Sequence, residues 1–166
     1  MGNSGLHNEG NEHQPKLIVI RSNENKGKTT TIWMVLYALK ADGATIRFKD
    51  YSGRRSVPTV MPPVGSLPDF EADVTWNSKH IIMFSYGDGP DIVKMLLDDA
   101  LSKNPDYIIC ASRSQYRTNS VWELFETIYA NTLYERISLW SEHSNNIADA
   151  LRVKCPTVRT IMKYMS

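Results

Sequence analysis

The chain has 166 residues, of which 42% are hydrophobic, and its 19 lysines and arginines nearly balance its 18 aspartates and glutamates. This balance excludes a general attraction to nucleic acid or to an anionic membrane, so any phosphate binding must come from a local cluster of charge. The length predicts one domain with a core of its own. The two cysteines are too few for a framework of disulfides and favour a reducing compartment.

The N-terminal residues are polar and lack the apolar segment of a signal peptide. No stretch reaches the roughly 18 to 20 apolar residues that a transmembrane helix needs. We therefore expect a flexible leader over 1–14, a single domain over 15–166, a cytoplasmic location and no membrane partner.

From Lys16 onward, short apolar runs alternate with amphipathic segments. The runs that predict strands are 17–20, 44–49, 80–86, 106–112 and 136–141. The segments with helical periodicity are 27–41, 91–103, 120–132 and 144–164, the last interrupted at Pro156. Such alternation predicts crossover units and an α/β fold, a three-layer sandwich around a mostly parallel five-stranded sheet.

Two segments depart from this alternation. The proline-rich stretch at 51–69 predicts a long irregular excursion. The apolar residues at 70–76 lie just before the predicted strand at 80–86, so they form either a hairpin with that strand or a short edge strand that leads into it.

The junction between the first strand and the first helix carries a candidate phosphate loop. Its residues are Asn25, Lys26, Gly27, Lys28, Thr29 and Thr30. Backbone N–H groups at the start of a helix, together with the positive end of the helix dipole, favour a bound phosphate. Gly27 lets the backbone approach it, Lys28 can reach the β- and γ-phosphates, Thr29 can bind Mg²⁺ and Thr30 can contact the α-phosphate.

Residues 22–29 resemble the Walker A motif of the P-loop NTPase superfamily, Gly-x4-Gly-Lys-Ser/Thr, with Ser22 in place of the first glycine. The resemblance implies a nucleoside triphosphate and Mg²⁺ as cofactors. In ParA/MinD-like loops an extra lysine stands near the start of the loop, where this chain has Asn23. The resemblance therefore does not extend to that subfamily. Ala111 and the residues after it do not match the guanine-recognition motif of GTPases, which favours ATP over GTP.

P-loop proteins usually hold Mg²⁺ through an acidic residue after a neighbouring strand. In this chain Asp88 follows the apolar run at 80–86, and we assign it this role, with Ser85 assisting. The alternative is that Asp88 only caps the helix that starts at Pro90. No Asp-Glu pair follows an apolar run, which favours the kinase–GTPase branch over motor-type ATPases.

Further residues suggest a kinase. Asp50 ends the second strand, where a carboxylate can receive the proton of an acceptor hydroxyl. Arg113 and Arg117 resemble lid arginines that neutralise a transferring phosphoryl group. Arg54 and Arg55 could close over an acceptor, although exposed loop arginines are more often simply solvated.

The hypothesis that follows is an ATP-binding P-loop protein with Mg²⁺-dependent hydrolysis, whose nucleotide state regulates a protein partner. One alternative is a small-molecule or nucleotide kinase, and another is a nucleotide-binding module with little or no turnover. The spacing of the histidines predicts no structural metal. The basic residues of the last helix, Arg152, Lys154, Arg159 and Lys163, predict a solvated face, so nucleic acid is not expected as a partner.

Overall fold

The computed structural model describes residues 13–22, 27–53, 56–86, 89–113, 121–127, 129–131, 133–138 and 147–166. For Ser22, Arg113, residues 133–138 and 147–151, and Val153, it describes only the backbone. Most of the predicted leader, residues 1–12, lies outside this set. His13, near the end of the leader, contacts the domain, because its Nε2 is 2.7 Å from the carbonyl oxygen of Pro105.

The described elements follow the predicted alternation of strands and helices. The strands are β1 (Lys16–Ser22), β2 (Thr45–Asp50), β3 (Phe70–Trp76), β4 (Lys79–Phe84), β5 (Tyr107–Arg113) and β6 (Leu133–Ser138). The helices are α1 (Lys28–Ala41), α2 (Pro90–Ser102), α3 (Val121–Glu126) and α4 (Ile147–Met165). Among these helices, none combines the length with the apolar character that a bilayer crossing requires.

The strands form one six-stranded sheet in the order β2-β3-β4-β5-β1-β6. β1 pairs in parallel with β5 and β6, and β4 pairs in parallel with β5. β3 runs antiparallel to both of its neighbours, β2 and β4. The α/β class expected from the sequence is therefore confirmed, but the sheet is mixed rather than mostly parallel.

A tight hairpin explains the mixed sheet. Asn77 and Ser78 have φ angles of 49° and 62°, and two consecutive residues in this region make the turn type that joins antiparallel strands. β3 therefore folds directly onto β4 and pairs through its other side with β2. This result decides between the two predictions for 70–76 in favour of the hairpin.

The core lies on both faces of the sheet. Alternate residues of β1 point in opposite directions, so Ile18 and Ile20 pack with α1 and α4. Leu17 and Val19 pack with α2 and α3 on the other face. The result is three layers, with two helices on each face of the sheet.

The proline-rich segment is irregular, as predicted, except for a short 3-10 turn over Val64–Ser66. It is held against α1 by two hydrogen bonds to backbone carbonyls. The Trp33 indole N–H donates to Pro68 over 2.9 Å, and the Tyr37 hydroxyl donates to Pro58 over 2.5 Å. The segment therefore covers one side of the helix that follows the candidate phosphate loop.

The C-terminal helix corrects one expectation. Its predicted interruption at Pro156 is wrong, because α4 continues through the proline. Its last turn is attached to the start of the central strands. Lys79 Nζ donates to the carbonyl oxygen of Met165 over 2.5 Å, and the Tyr107 hydroxyl donates to that of Tyr164 over 3.2 Å. Helix α4 therefore runs opposite to β4 and β5, and its earlier turns lie toward the end of the sheet where these strands finish.

Candidate functional site

The candidate site lies at the carboxyl end of β1, which is flanked by β5 and β6. Residues 17–20 are completely buried because helices cover the sheet on both faces. Gly27, the residue before α1, has φ 85° and ψ 31°. This is the left-handed region, which glycine enters at little cost and other residues avoid. A glycine at this position lets the chain leave the loop and enter the helix directly.

The first turn of α1 is closed by two bonds to the same carbonyl oxygen. The backbone N–H and the hydroxyl of Thr31 both donate to Gly27, over 2.9 and 2.8 Å. The N–H groups of residues 28–30 precede the first bond within the helix, so they point out of its end. No acidic residue occurs in this first turn. The end of α1 is therefore positively polarised, as an anion site requires.

The predicted loop residues differ in their accessibility. Lys28 and Thr29 are half-buried, whereas Thr30 is buried with only 5% of its surface exposed. Lys28 and Thr29 are thus accessible enough to meet a ligand, and Thr30 is largely covered by the surrounding structure.

Lys154 is the site residue that sequence reasoning missed. Its side chain comes from α4, is only 3% exposed, and reaches the loop glycine. A Cβ atom built on Gly27 would lie 2.6 Å from both the Cε and the Nζ of Lys154. The missing side chain of Gly27 is what leaves room for this ammonium group.

The prediction of a solvated basic face on the last helix is wrong for Lys154. It is correct for Arg152, Arg159 and Lys163, which are exposed. A signal was present in the sequence, because Lys154 lies in one helical stripe with the buried residues Val158, Ile161 and Met165. A lysine on an apolar stripe is a candidate for a buried role.

Asp50 lies at the same edge of the sheet but far from the loop. β2 is the outermost strand and lies four strand spacings from β1, roughly 19 Å at about 4.8 Å per spacing. Asp50 is buried, with 8% of its surface exposed. Its Oδ1 accepts hydrogen bonds from the Ser52 backbone N–H and hydroxyl, over 2.9 and 2.6 Å. In this structure Asp50 stabilises the turn that follows β2.

Ser85, at the end of β4, is buried and connects two strands. Its hydroxyl donates to Asp69 Oδ1 over 2.9 Å and accepts from the Phe70 backbone N–H over 3.0 Å. Tyr86 follows, and burial raises its pKa to about 12, with Tyr51 and Asp69 adding to the rise. β5 separates β4 from β1, which puts the end of β4 roughly 10 Å from the loop. The sequence did not single out Asp69, whose carboxylate belongs to this group.

β5 brings a different pair of residues beside the loop. Arg113 is in register with Ser22, and Ser112 with Arg21, so the backbone of Arg113 lies next to the start of the loop. Ser112 is completely buried. The Arg21 guanidinium stacks on the ring of Trp122, 3.9 Å from its centroid. Of the predicted kinase residues, Arg113 is therefore near β1 and Asp50 is not.

Several predicted site residues lie outside the described residues. They are Asn25, Lys26, Arg54, Arg55, Asp88 and Arg117. Within the part of the chain that the structure describes, no group of three or more histidine, cysteine or acidic residues could hold a metal ion. Mg²⁺ bound to a nucleotide takes only one or two protein ligands, because phosphate and water oxygens supply the rest. Thr29 and Asp88 therefore stay the predicted metal ligands.

Comparisons with protein-family models, with curated proteins and with solved structures found no match. What the site offers is a helix N-terminus, a glycine that admits a close approach, and the lysines Lys28 and Lys154. This combination can bind a multiply charged anion.

Proposed function

We propose that the chain binds a nucleoside triphosphate with Mg²⁺ at the junction of β1 and α1, and that it hydrolyses the nucleotide. The observation that carries the proposal is the left-handed Gly27 at the start of α1, with Lys28 beside it and the Lys154 ammonium against it. Helix polarity and the Lys154 charge then act on the volume beside Gly27, and we expect Lys28, the next residue along the chain, to add a second charge to a bound ligand. A polyphosphate suits such a volume better than a single carboxylate, because it offers several oxygens and more negative charge.

The position of the site within the fold supports the same function. In α/β sheets, ligands bind beyond the carboxyl ends of the strands. The loop follows β1, which lies inside the sheet, and the ends of β4 and β5 open at the same edge. Asp88, shortly after β4, is our proposed Mg²⁺ partner of Thr29. The nucleotide is ATP rather than GTP, because the residues after β5 lack the guanine-recognition pattern.

Hydrolysis is favoured over transfer to an acceptor at Asp50. A general base has to lie within hydrogen-bonding reach of the proton that it removes. Asp50 is roughly 19 Å from β1 by strand spacing, and its carboxylate already holds the turn at Ser52. We further propose that nucleotide turnover regulates a protein partner through loops at this edge of the sheet.

Calorimetric titration with ATP and Mg²⁺ tests the binding step. Lys28→Ala removes one charge-assisted hydrogen-bonding group, worth about 1.5–3 kcal/mol, so Kd should rise about 10- to 100-fold. Lys40→Ala is the matched control, because Lys40 is an exposed lysine in the last turn of the same helix. Equal affinity of the Lys28 and Lys40 variants for ATP would exclude the proposed loop as the binding site.

Phosphate release tests the chemical step. Release from ATP without any acceptor supports hydrolysis, whereas release only with an acceptor supports a kinase. Binding without release would leave a nucleotide-binding module. Asp88→Asn should weaken the Mg²⁺ dependence of ATP binding, and Asp91→Asn should not, since Asp91 is exposed in the first turn of α2. An unchanged Mg²⁺ dependence in the Asp88 variant would move the metal role to another residue.

A further inference from the structure

The outer strands β2 and β3 have one apolar face and one polar face. Their buried residues Phe48, Phe70 and Val74 belong to the core beneath α1 and α4. On the other face of the sheet, the core beneath α2 and α3 takes its strand residues from β1, β4 and β5. Because side chains alternate along a strand, the remaining residues of β2 and β3 lie on the same face as α2, beside that helix.

Charged residues form two neighbouring rows on this polar face. The row on β2 is basic and consists of Arg47 and Lys49, which are exposed. The row on β3 is acidic and consists of Glu71 and Asp73, which are half-buried. Arg47 is in register with Asp73, and Lys49 is in register with Glu71. We call the surface formed by these four residues the charged face.

An exposed aromatic residue borders the charged face. Tyr51 follows β2 and is 74% exposed. Its ring meets that of Tyr86 edge-on, with 5.6 Å between the centroids. Tyr86 packs against the core beneath α2 and α3. Tyr51 therefore lies on the same face of the sheet as the two charged rows.

Helix α3 lies on the side of α2 that is away from the outer strands. Its residue Trp122 stacks with the Arg21 guanidinium of β1, and β4 and β5 separate β1 from β3. Tyr129, which follows α3, donates a hydrogen bond from its hydroxyl to Asp98 Oδ1 of α2 over 2.6 Å. The side of α2 that carries Asp98 therefore faces away from β2 and β3.

The opposite side of α2 carries exposed apolar residues. Val93 and Ala100 are buried and mark the side of the helix that meets the sheet. At about 100° per residue, Ile92 lies a quarter turn from this buried side, in the direction opposite to Asp98, so it faces the outer strands. Met95, one turn later, points away from the sheet. Ile92 is 49% exposed and Met95 is 62% exposed.

We propose that the charged face binds the charged face of a second copy of this chain, which makes the protein a two-fold symmetric dimer. A two-fold axis that runs along the strands, between β2 and β3, brings the basic row of each copy over the acidic row of the other. Because the two rows share a register, Lys49 then meets Glu71 of the second copy. An axis across the strands would put like charges opposite each other, which is unfavourable.

The same symmetry gives the apolar side of α2 a contact. It brings β2 of the second copy over β3, next to α2, which projects from the same face of the sheet. β2 is an edge strand, and proteins commonly cover such edges to prevent uncontrolled pairing. Ile92 faces this edge of the second copy, so each α2 covers the β2 edge of the other chain.

The size of the charged face predicts a weak dimer. Two strands of six residues present a surface of roughly 10 Å by 20 Å, and α2 adds a narrow strip to it. A standard interface buries about 800 Å² on each partner, so we expect association in the micromolar range. The ion pairs then determine the orientation of the two copies more than their affinity.

Analytical ultracentrifugation over a series of protein concentrations tests the proposal. The wild type should change from monomer to dimer as the concentration rises. Ile92→Glu places a charge against the β2 edge of the second copy and should raise the dimer Kd about tenfold or more. Val60→Glu is the matched control, because Val60 is equally an exposed apolar residue but lies in the proline-rich segment, which packs on α1.

Two charge reversals identify the surface. The contact between Lys49 and Glu71 is chosen, because Asp73 already lies 2.7 Å from His80 within its own chain. Lys49→Glu and Glu71→Lys each put like charges opposite each other in a dimer of identical chains, so each should raise the dimer Kd about tenfold or more. Lys163→Glu, at an exposed position on α4, should associate as the wild type does.

Mixing the two reversed variants separates contact between copies from a folding defect. In a heterodimer of Lys49→Glu and Glu71→Lys, opposite charges meet at both contacts, so the mixture should regain the dimer that each variant alone has lost. Mixing leaves the β2–β3 pair within each chain unchanged. A wild type that stays monomeric up to about 1 mM, single variants that dimerise like the wild type, or a mixture without recovery would each overturn the proposal.

Discussion

Replacing Gly27 with alanine perturbs both the backbone and the ligand site. An L-residue in the left-handed region costs about 1–2 kcal/mol, and Gly27 has φ 85°. The new Cβ would also lie 2.6 Å from the Cε and Nζ of Lys154. The end of a lysine side chain can move, so this clash adds little to the loss of stability. Its consequence is that the ammonium group is pushed away from the loop.

Gly43→Ala provides the matched control for Gly27→Ala. Gly43 has φ 90°, and a Cβ built there meets nothing within 4 Å. Both variants should therefore lose about 1–2 kcal/mol in the free energy of unfolding, or about 2–8 °C in thermal midpoint. Only Gly27→Ala should also lose ATP affinity, by about tenfold or more, because it displaces a charge-assisted contact.

The assay for Gly27→Ala combines thermal denaturation followed by circular dichroism with calorimetric titration of ATP. Equal losses of stability and unequal losses of affinity are the expected result. If the two alanine variants bind ATP with the same Kd, the close approach of Lys154 to Gly27 has no part in ligand binding. The electrostatic argument for the site is then refuted.

Three other perturbations test the packing and charge of the domain. Ser85→Ala leaves a buried backbone N–H without its acceptor, so the free energy of unfolding measured in urea should fall by about 1–3 kcal/mol; no change would mean that the serine is replaceable. Hydrogen bonds from Lys94 and Tyr129 lower the pKa of Asp98 below its ordinary 3.8. The ionised Asp98 carboxylate therefore stabilises the folded protein above about pH 4, and this stabilisation is lost as the pH falls through the pKa of Asp98 in the folded protein. Asp98→Asn should reduce the loss of unfolding free energy between neutral and acidic pH; an unchanged loss would contradict this. Pro156→Ala should raise the thermal midpoint, because alanine restores a helical N–H and removes a residue that costs a helix interior about 3 kcal/mol, and a lower midpoint would count against the account of α4.

Local sequence patterns were enough to predict most of the individual strands and helices of this protein. Apolar runs predicted β1 and β5, and 3.6-residue periodicity predicted α1 and α2 within a few residues. Helix α3 and strand β6 are less accurate, since residues 120–132 and 136–141 were predicted and Val121–Glu126 and Leu133–Ser138 are observed. Local patterns succeed because the conformation of a short segment depends mainly on which of its faces is buried.

Tertiary structure alone decided how these elements pair. Nothing in the composition of β3 states that its second edge will meet β2, and that pairing makes the sheet mixed. The same pairing order puts β2, which ends at Asp50, four strand positions away from β1, although the carboxyl ends of β1 and β2 lie at the same edge of the sheet. The choice of neighbours is a long-range property, because it depends on which faces and edges remain unpaired once the hairpin has formed.

The candidate site likewise combines residues that the local sequence predicts with a residue that only the folded structure brings there. The local sequence was enough to recognise Gly27 and Lys28 at a strand-to-helix junction, because a phosphate loop is built from consecutive residues. Lys154 is distant in sequence and reaches the loop only because α4 packs beside α1 with its end held by Lys79. A buried charge delivered by a distant helix depends on packing, and packing is decided by the folded chain as a whole.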